Sequence, residues 1–372
     1  MLVKKNHLNL NKKTNNLEKE LQNYFAKDYY DARNKFRTIS KQKKLKVTSK
    51  KIINDLTCDI AIYEKKPKSK IIIFVSGVHG VEGYVGSAFQ IMFIDRYLDK
   101  IKNKTSVCFI HALNPHGFKN NRRVNENNVD INRNFADFQN IEINPKIKKI
   151  IEEYNYLFYP KNFKKKDLYN SFMKSIIQYG KKETIGTMII GQNIYPKGLN
   201  YTGNKLEKSS KIFIDFIKKI TKNYKEVILI DLHTGTGKKY KIHGETHHPI
   251  KSKEYNYCKK IVPKLNSYSK QKIYNNYSLG LYFLKTSKAK QNYELVIEFG
   301  TVSNFSKIQS AKKLTELLLK ENICTNKKVP FKEKNKIRTK LKNAYFPQDK
   351  KYKVFVSKQV DKIGKKLLKI NN

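Results

Sequence analysis

The sequence predicts an α/β fold, a mixed central sheet with helices on both faces. Three observations carry this. Short runs that are almost wholly apolar recur along the chain: IIIFVSG, SVCFIHALNP, EVILIDLHTG and ELVIEFGT. Runs of this length, bounded by turn residues, suit strands buried on both faces. Between the first two lies GSAFQIMFIDRYL, which reads as a helix packed on the sheet. Strand, loop, helix and strand in that order build a layered sheet with helical crossovers.

Taken in order, residues 1–23 are polar and read as a loose N-terminal arm. From Phe25 to Lys43 apolar and aromatic residues recur at helical spacing, so a helix is expected. Residues 56–63, LTCDIAIY, alternate and stop at KKPKSK, which predicts a strand followed by a hairpin-like turn. The four apolar strands follow, with a mainly helical stretch over 140–225 that includes the Gly/Tyr/Pro-rich loop GQNIYPKGLNYTGN. Residues 326–372 are Lys-rich with short strand-like pieces, KYKVFVS among them, and no evident chemistry. They read as a C-terminal extension packed on the main body at 24–325. No internal repeat and no Pro/Ser-rich linker marks a further boundary.

Length and composition bound the answer. At 372 residues and 39% apolar content the chain can bury a sizeable core, which argues against wholesale disorder. The formal charge of +47 invites a nucleic-acid reading. Nearly all of it is Lys, spread along the chain, whereas phosphate readers favour the bidentate fork of Arg. Lys, Asn, Ile and Tyr are abundant together, a pattern that AT-rich codon bias produces without any ligand. A solvated basic surface is therefore the expectation and nucleic acid is not the expected partner, although the charge can steer acidic substrates. The four cysteines, Cys58, Cys108, Cys258 and Cys324, have no CxxC spacing and read as free thiols of a reducing compartment. The N-terminus lacks an apolar signal region, and no stretch reaches about 18 apolar residues. A soluble cytoplasmic protein without a membrane partner is expected.

The chemistry gathers at strand ends, where open α/β sheets place ligand sites. After IIIFVSG comes Val-His79-Gly-Val-Glu82-Gly; after EVILI comes Asp231-Leu-His233-Thr-Gly; within ELVIEFGT sits Glu298. Two imidazoles and one carboxylate make a catalytic zinc set that leaves a fourth position for water. Zinc acidifies that water and polarises a carbonyl under attack. Glu298 can then serve as general base and donate the proton to a leaving nitrogen. Singly, each piece is weak. An HxxE pair arises by chance, a lone strand-end His is more often structural, and a carboxylate in an apolar strand demands explanation only because burying it unpaired is costly.

The segment between them strengthens the case. It reads Asn114-Pro115-His116-Gly117-Phe118, then Arg122-Arg123-Val-Asn125, then Val129-Asp130-Ile131-Asn132-Arg133-Asn134-Phe135. Three arginines in so Lys-rich a chain suggest a need for the planar fork. One guanidinium can stabilise an oxyanion, and another beside an Asn amide can clamp a carboxylate. The bland alternative is a loop held by Arg–Asp pairs.

The order HxxE, NPxGF, R-x-N-x-x-x-V-D-x-N-R-N-F, strand-borne DLH and strand-borne Glu resembles the zinc carboxypeptidases, the carboxypeptidase A-like metallopeptidases. More closely it is similar to a bacterial, uncharacterised metallopeptidase-like subfamily of that clan. YFAKDYYDARNKF, SGVHGVEGYVGSAFQ, GQNIYPKGLNYTGN, DLHTGTG and VIEFGT take part, so the resemblance spans roughly residues 24–310. It implies the carboxypeptidase-like (phosphorylase/hydrolase-type) architecture and one zinc per chain, held by His79, Glu82 and His233. It further implies Arg123 as the oxyanion-stabilising arginine, with Arg122 as fallback. Asn132 and Arg133 would hold the substrate's terminal carboxylate, and Glu298 would be the catalytic base. The family's lid tyrosine has no motif here; Tyr277 and Tyr282 lie at tolerable distances. The sequence departs from the family in the histidine-rich KKYKIHGETHHP, where His243, His247 and His248 read as a solvated loop near the cleft. His111 and His116 read as structural, or as supports for the metal ligands.

The implied activity is zinc-dependent hydrolysis of an amide bond next to a free carboxylate, on a peptide or acyl-amino-acid substrate. An N-acyl-amino-acid deacylase of the aspartoacylase or succinylglutamate desuccinylase type is the alternative within the class. A polyanion-binding protein on a hydrolase scaffold is the alternative outside it, and retention of every ligand and of the base argues against it.

Overall fold

The computed structural model describes residues 20–102, 104–139, 144–269, 277–302, 307–327 and 329–371. Most of the predicted arm lies outside these residues. Its last part is not loose, because residues 20–24 are helical, Leu21 is buried in the core and Glu20 pairs with Arg96 at 2.7 Å.

The helices are α1 (Tyr29–Gln42), α2 (Gly83–Tyr97), α3 (Pro115–Lys119), α4 (Pro145–Glu153), α5 (Lys165–Tyr179), α6 (Lys181–Ile190), α7 (Lys208–Ile220), α8 (Lys253–Ile261), α9 (Leu279–Thr286), α10 (Lys307–Asn326), α11 (Phe331–Tyr345) and α12 (Lys350–Asn371). The strands are β1 (Lys46–Ile53), β2 (Leu56–Tyr63), β3 (Lys70–Ser76), β4 (Thr105–His111), β5 (Glu226–Thr234), β6 (Ile242–Thr246), β7 (Leu265–Ser267) and β8 (Gln291–Phe299). They form one sheet in the order β1-β2-β4-β3-β5-β8-β6-β7. The β4-β3-β5-β8 centre is parallel, while β1, β2 and β6 join by antiparallel pairing, so the sheet is mixed.

The apolar runs explain the centre. In β3, Ile72 and Phe74 face one core with α2, α8 and α12, while Ile71, Ile73 and Val75 face the other with α7 and α9. Burying such side chains stabilises by roughly 1.5–3 kcal/mol each, which makes β3 and β5 a rigid frame for the residues at their ends. The β8 alternation is split by chemistry. Tyr293, Leu295, Ile297 and Phe299 enter the first core, which leaves Glu294, Val296 and Glu298 on the opposite side. A third cluster joins α4, α5 and α6 to Leu319 of α10.

Three expectations are corrected. The turn after β2 is not a hairpin, because β2 pairs with β1 and β4 and the chain crosses over before β3. The histidine-rich segment is not a solvated loop. It forms β6, paired with β8, and His248 is buried. KYKVFVS is helical within α12, where Tyr352, Phe355, Val356, Val360, Ile363 and Leu367 line the buried face at helical spacing. All four cysteines are free and buried. No helix among the described residues is long and apolar enough to cross a membrane.

Candidate metal centre

Two loops meet beyond the ends of β3 and β4. The chain leaves β3 through Gly77, and His79 precedes a single tight turn, Gly80–Glu82, that runs directly into α2. Asn114 caps α3, its Oδ1 accepting from the Gly117 amide at 2.9 Å. The Gly80 and Val81 amides donate to the carbonyls of Arg123 and Arg122, at 3.1 and 2.8 Å. The approach is close enough to require glycine: a Cβ on Gly80 would lie 2.1 Å from the Gly117 backbone. Sequence motifs forty residues apart thereby become one surface.

His233 stands near the end of β5 and completes the cluster. Ligand atoms of His79, Glu82 and His233 all lie within 4.8 Å of one another, and the three residues are buried. One oxygen of Glu82, Oε1, faces His79 Nδ1 at 2.9 Å; the other, Oε2, faces His233 Nδ1 at 3.0 Å and accepts from the Thr234 amide at 2.9 Å. The outer ring nitrogens meet aspartates. His79 Nε2 lies 3.0 Å from Asp130 Oδ1, and His233 Nε2 lies 2.7 Å from Asp231 Oδ2. Burial alone would raise the carboxyls of Glu82 and Asp130. The imidazoles, with Arg123 for Asp130, outweigh it and hold both below the usual range. Burial would lower His233, yet Asp231 and Glu82 raise it well above the ordinary imidazole value.

This donor set fits a divalent cation. When each Nε2–H is given to its aspartate, each Nδ1 presents a lone pair to a carboxylate oxygen. Acceptors do not share such short distances without a cation or proton between them. The orienting aspartates are the usual outer partners of metal-binding histidines. The residues that would hold zinc are therefore His79 and His233 through Nδ1, and Glu82 through its carboxylate.

Arg123 sits beside the cluster, with Nε 3.2 Å from Asp130 Oδ2 and Nη1 3.4 Å from Glu82 Oε1. Arg122 points elsewhere. It is 2% exposed and donates to Glu321, to the Asn125 carbonyl and to Asn128, which makes it a structural cross-link between this loop and α10 and removes it as the fallback. Asp130 also caps the turn Ile131–Arg133 by accepting from the Asn132 amide at 3.0 Å. Asn132 Oδ1 accepts from the Leu279 amide, so its NH2 group is the part left for a ligand. Arg133 gives Nε to the Ile189 carbonyl and one Nη1 hydrogen to the Asn132 carbonyl. Its outer edge, not its full fork, is what a carboxylate can reach.

Glu298 lies in register with His233 on one side and His243 on the other. Burial, then the charges of Glu82 and Glu245, push its carboxyl up to about 8 against the pull of His233, and Oε2 has no hydrogen-bond partner. Glu294 is a different case. Its Oε2 accepts from Thr246 Oγ1 and the His247 amide, which ties β8 to β6. Among the tyrosines, Tyr282 packs on Phe135, and the Tyr277 carbonyl accepts from the Phe135 amide. Tyr268, which sequence reasoning did not single out, lies within electrostatic reach of Glu245, Glu298 and Arg133. His243 pairs with Glu245 at 3.4 Å. His111 meets Ser87 Oγ at 2.9 Å and stacks on Phe36, away from the cluster.

A family model described as "Protein of unknown function (DUF2817)" matches residues 25–359. No curated protein matches. Solved structures similar to the chain include bovine thrombin-activatable fibrinolysis inhibitor, at 13% identity, TM-score 0.48, 86% of this chain and 98% of that one. Carboxypeptidase A of Helicoverpa armigera is similar at 12% identity and TM-score 0.47, with 88% and 75% covered. A metallo-carboxypeptidase of Burkholderia cenocepacia is similar at 11% identity and TM-score 0.42, with 78% and 68% covered.

Proposed function

From a chain that belongs to the DUF2817 family, we propose a zinc-dependent amidohydrolase that cleaves an amide bond next to a free carboxylate, in the manner of a metallocarboxypeptidase. The observation that carries the reading is the convergence of His79, Glu82 and His233, each imidazole backed by an aspartate. Zinc bound there supplies Lewis acidity toward a scissile carbonyl and lowers the pKa of water. Every other role falls to the chain. Asp130 and Asp231 fix ring tautomers and leave Nδ1 bare for the metal. Arg123 keeps an always-charged guanidinium beside Glu82, where negative charge developing on a carbonyl oxygen would find it. Asn132 Nδ2 and the outer edge of Arg133 take the substrate carboxylate and set the amide in place. Glu298 takes a proton on Oε2 and returns it to the leaving nitrogen, a task suited to a carboxyl whose pKa is raised toward neutrality.

The test is metal analysis of purified protein together with hydrolysis of dipeptides and N-acyl-amino acids, each with a free or amidated C-terminus. About one zinc per chain is expected, lost in His79→Ala and His233→Ala. Stoichiometric zinc retained in both variants would exclude this ligand set. Cleavage confined to N-acyl-amino acids, with dipeptides untouched, would replace the peptidase reading by the deacylase one.

A further inference from the structure

Helix α11 ends in a tyrosine that no motif singled out. Tyr345 is 1% exposed, and its hydroxyl has no well-formed hydrogen bond. A buried phenol normally finds a partner, because leaving one unmet is costly. The groups around this one belong to the candidate centre: the Arg123 guanidinium lies beside the hydroxyl, and Glu82 and Glu298 are within electrostatic reach. The ring is held from two sides. It packs with Val81, between His79 and Glu82, and with Leu341 of its own helix. It also covers Gly235, immediately after β5, where φ is +113° and a Cβ would come within 2.5 Å of the ring. A side chain at 235 would be strained and would push Tyr345 out.

Arg123 already contacts two carboxylates, Asp130 and Glu82. A third would add more negative charge where an oxyanion has to develop, and would compete with a substrate oxygen for the remaining N–H groups. A phenol oxygen does neither. Arginine has only donors, so any bond between the two uses the tyrosine oxygen as acceptor. Burial pushes the Tyr345 phenol above its ordinary value, so it stays neutral. Hydrogen bonds in such sites are often long before substrate arrives and tighten in the complex.

We propose that Tyr345 is a positioning residue for Arg123. Its ring is wedged between Val81 and Gly235, and its hydroxyl backs the guanidinium so that the free N–H groups face the substrate carbonyl. The C-terminal region thus completes the centre. The role given to Arg123 rests on the hydrolase reading, whereas the contact itself does not.

The test uses Tyr345→Phe in the full chain, which keeps the ring and removes the oxygen. The chain has only seven arginines, Arg33, Arg37, Arg96, Arg122, Arg123, Arg133 and Arg338, so the Nε–H signals of arginine-labelled protein can be resolved by NMR, with Arg123→Lys assigning the one of interest. The variant should shift the Arg123 signal and speed its exchange with water, with Arg33, Arg37 and Arg96 unchanged. An Arg123 signal identical to that of the unmutated protein overturns the inference, whether or not a substrate is known. On any acyl-amino acid or peptide that the unmutated chain hydrolyses, kcat should fall about tenfold to a hundredfold, the scale of a misplaced catalytic group. KM, zinc content and Tm should be kept, and the loss should vanish in an Arg123→Lys background. An equal loss in both backgrounds would make Tyr345 merely structural. Failure of the unmutated chain to hydrolyse any substrate would count against the proposed function, while the NMR result still decides the contact.

Discussion

Replacing Glu298 with Gln should stabilise the metal-stripped chain at neutral and alkaline pH but not at acid pH. Glu298 is 8% exposed, and burial with the Glu82 and Glu245 charges places its folded pKa at about 8, against 4.5 for an ordinary glutamate. Because the folded value is the higher one, the carboxyl favours folding most below the unfolded pKa. That contribution is lost as pH climbs toward the folded pKa. At about 1.4 kcal/mol per pH unit the loss amounts to roughly 3 kcal/mol by pH 7 and approaches roughly 5 kcal/mol above pH 8. Glutamine has the same shape and no such titration, so the variant should gain on the parent by these amounts as pH rises. His233 also has a raised pKa and loses stabilising effect with rising pH, but it is common to both proteins and largely cancels in the difference. Urea unfolding in excess chelator at pH 5, 7 and 8 measures it, with circular dichroism confirming that both chains are folded at the start. A stability difference that stays constant across this range would refute the argument. Zinc added back should shrink the pH dependence, because a cation on His79, Glu82 and His233 opposes the desolvation that raises Glu298.

Asp130→Asn should weaken zinc binding about tenfold to a hundredfold in a chelator competition, the usual cost of losing an outer-sphere partner of a ligating histidine; unchanged affinity would mean that Asp130 does not orient His79. Arg122→Ala should cost about 3 kcal/mol of stability in urea, the lower end for breaking a buried ion pair, because Arg338 still reaches Glu321. Zinc content should be unaffected, and loss of metal in a still folded Arg122→Ala protein would contradict its assignment as a cross-link. Arg133→Lys keeps the charge and loses the planar edge, so it should erode a preference for free over amidated carboxyl termini, chiefly by slowing the free substrate. Equal kcat/KM on both substrates in the unmutated enzyme would remove the carboxylate clamp altogether.

The central strands were legible because burial on both faces favours apolar side chains: β3, β4 and β5 are near-continuous apolar runs, and β8 carries its apolar Leu295-Val296-Ile297 between two glutamates. The edges were not. β1, KVTSKKII, is mostly exposed, and its lysines hide the alternation. β6, IHGET, carries a glycine and two titratable residues, because one of its sides lines the site. KYKVFVS looked like a strand only within a seven-residue window; over the 22 residues of α12 the buried positions fall at helical spacing. The candidate ligands were legible because their spacing within each motif is local. The cross-linking role of Arg122 was not. It turns on Glu321, nearly two hundred residues away, which takes Arg122 out of the cleft. Nothing local marks Tyr345 either, since its place depends on how α11 packs on Val81.

The net charge poses the question of how the proposed cation site could form in this molecule. Lysine and arginine number 78 against 31 acidic residues, and the summed field repels a divalent ion. The answer lies in distance. Glu82, Asp130 and Asp231 touch the two histidines at 2.7–3.0 Å, and Glu245 is within electrostatic reach of His233. At about 4 Å and an effective dielectric of 20, each charge is worth roughly 4 kcal/mol to a neighbour. The charge of exposed lysines is screened by water and by salt, with a Debye length of about 8 Å at physiological ionic strength. A handful of buried carboxylates therefore outweighs the excess of distant ammonium groups. The same geometry divides the roles of charge: the surface excess can draw in an anionic substrate from afar, while the buried acids decide what is held at the centre. In so basic a chain, the placing of these few carboxylates around two histidines is what supports a metal centre here.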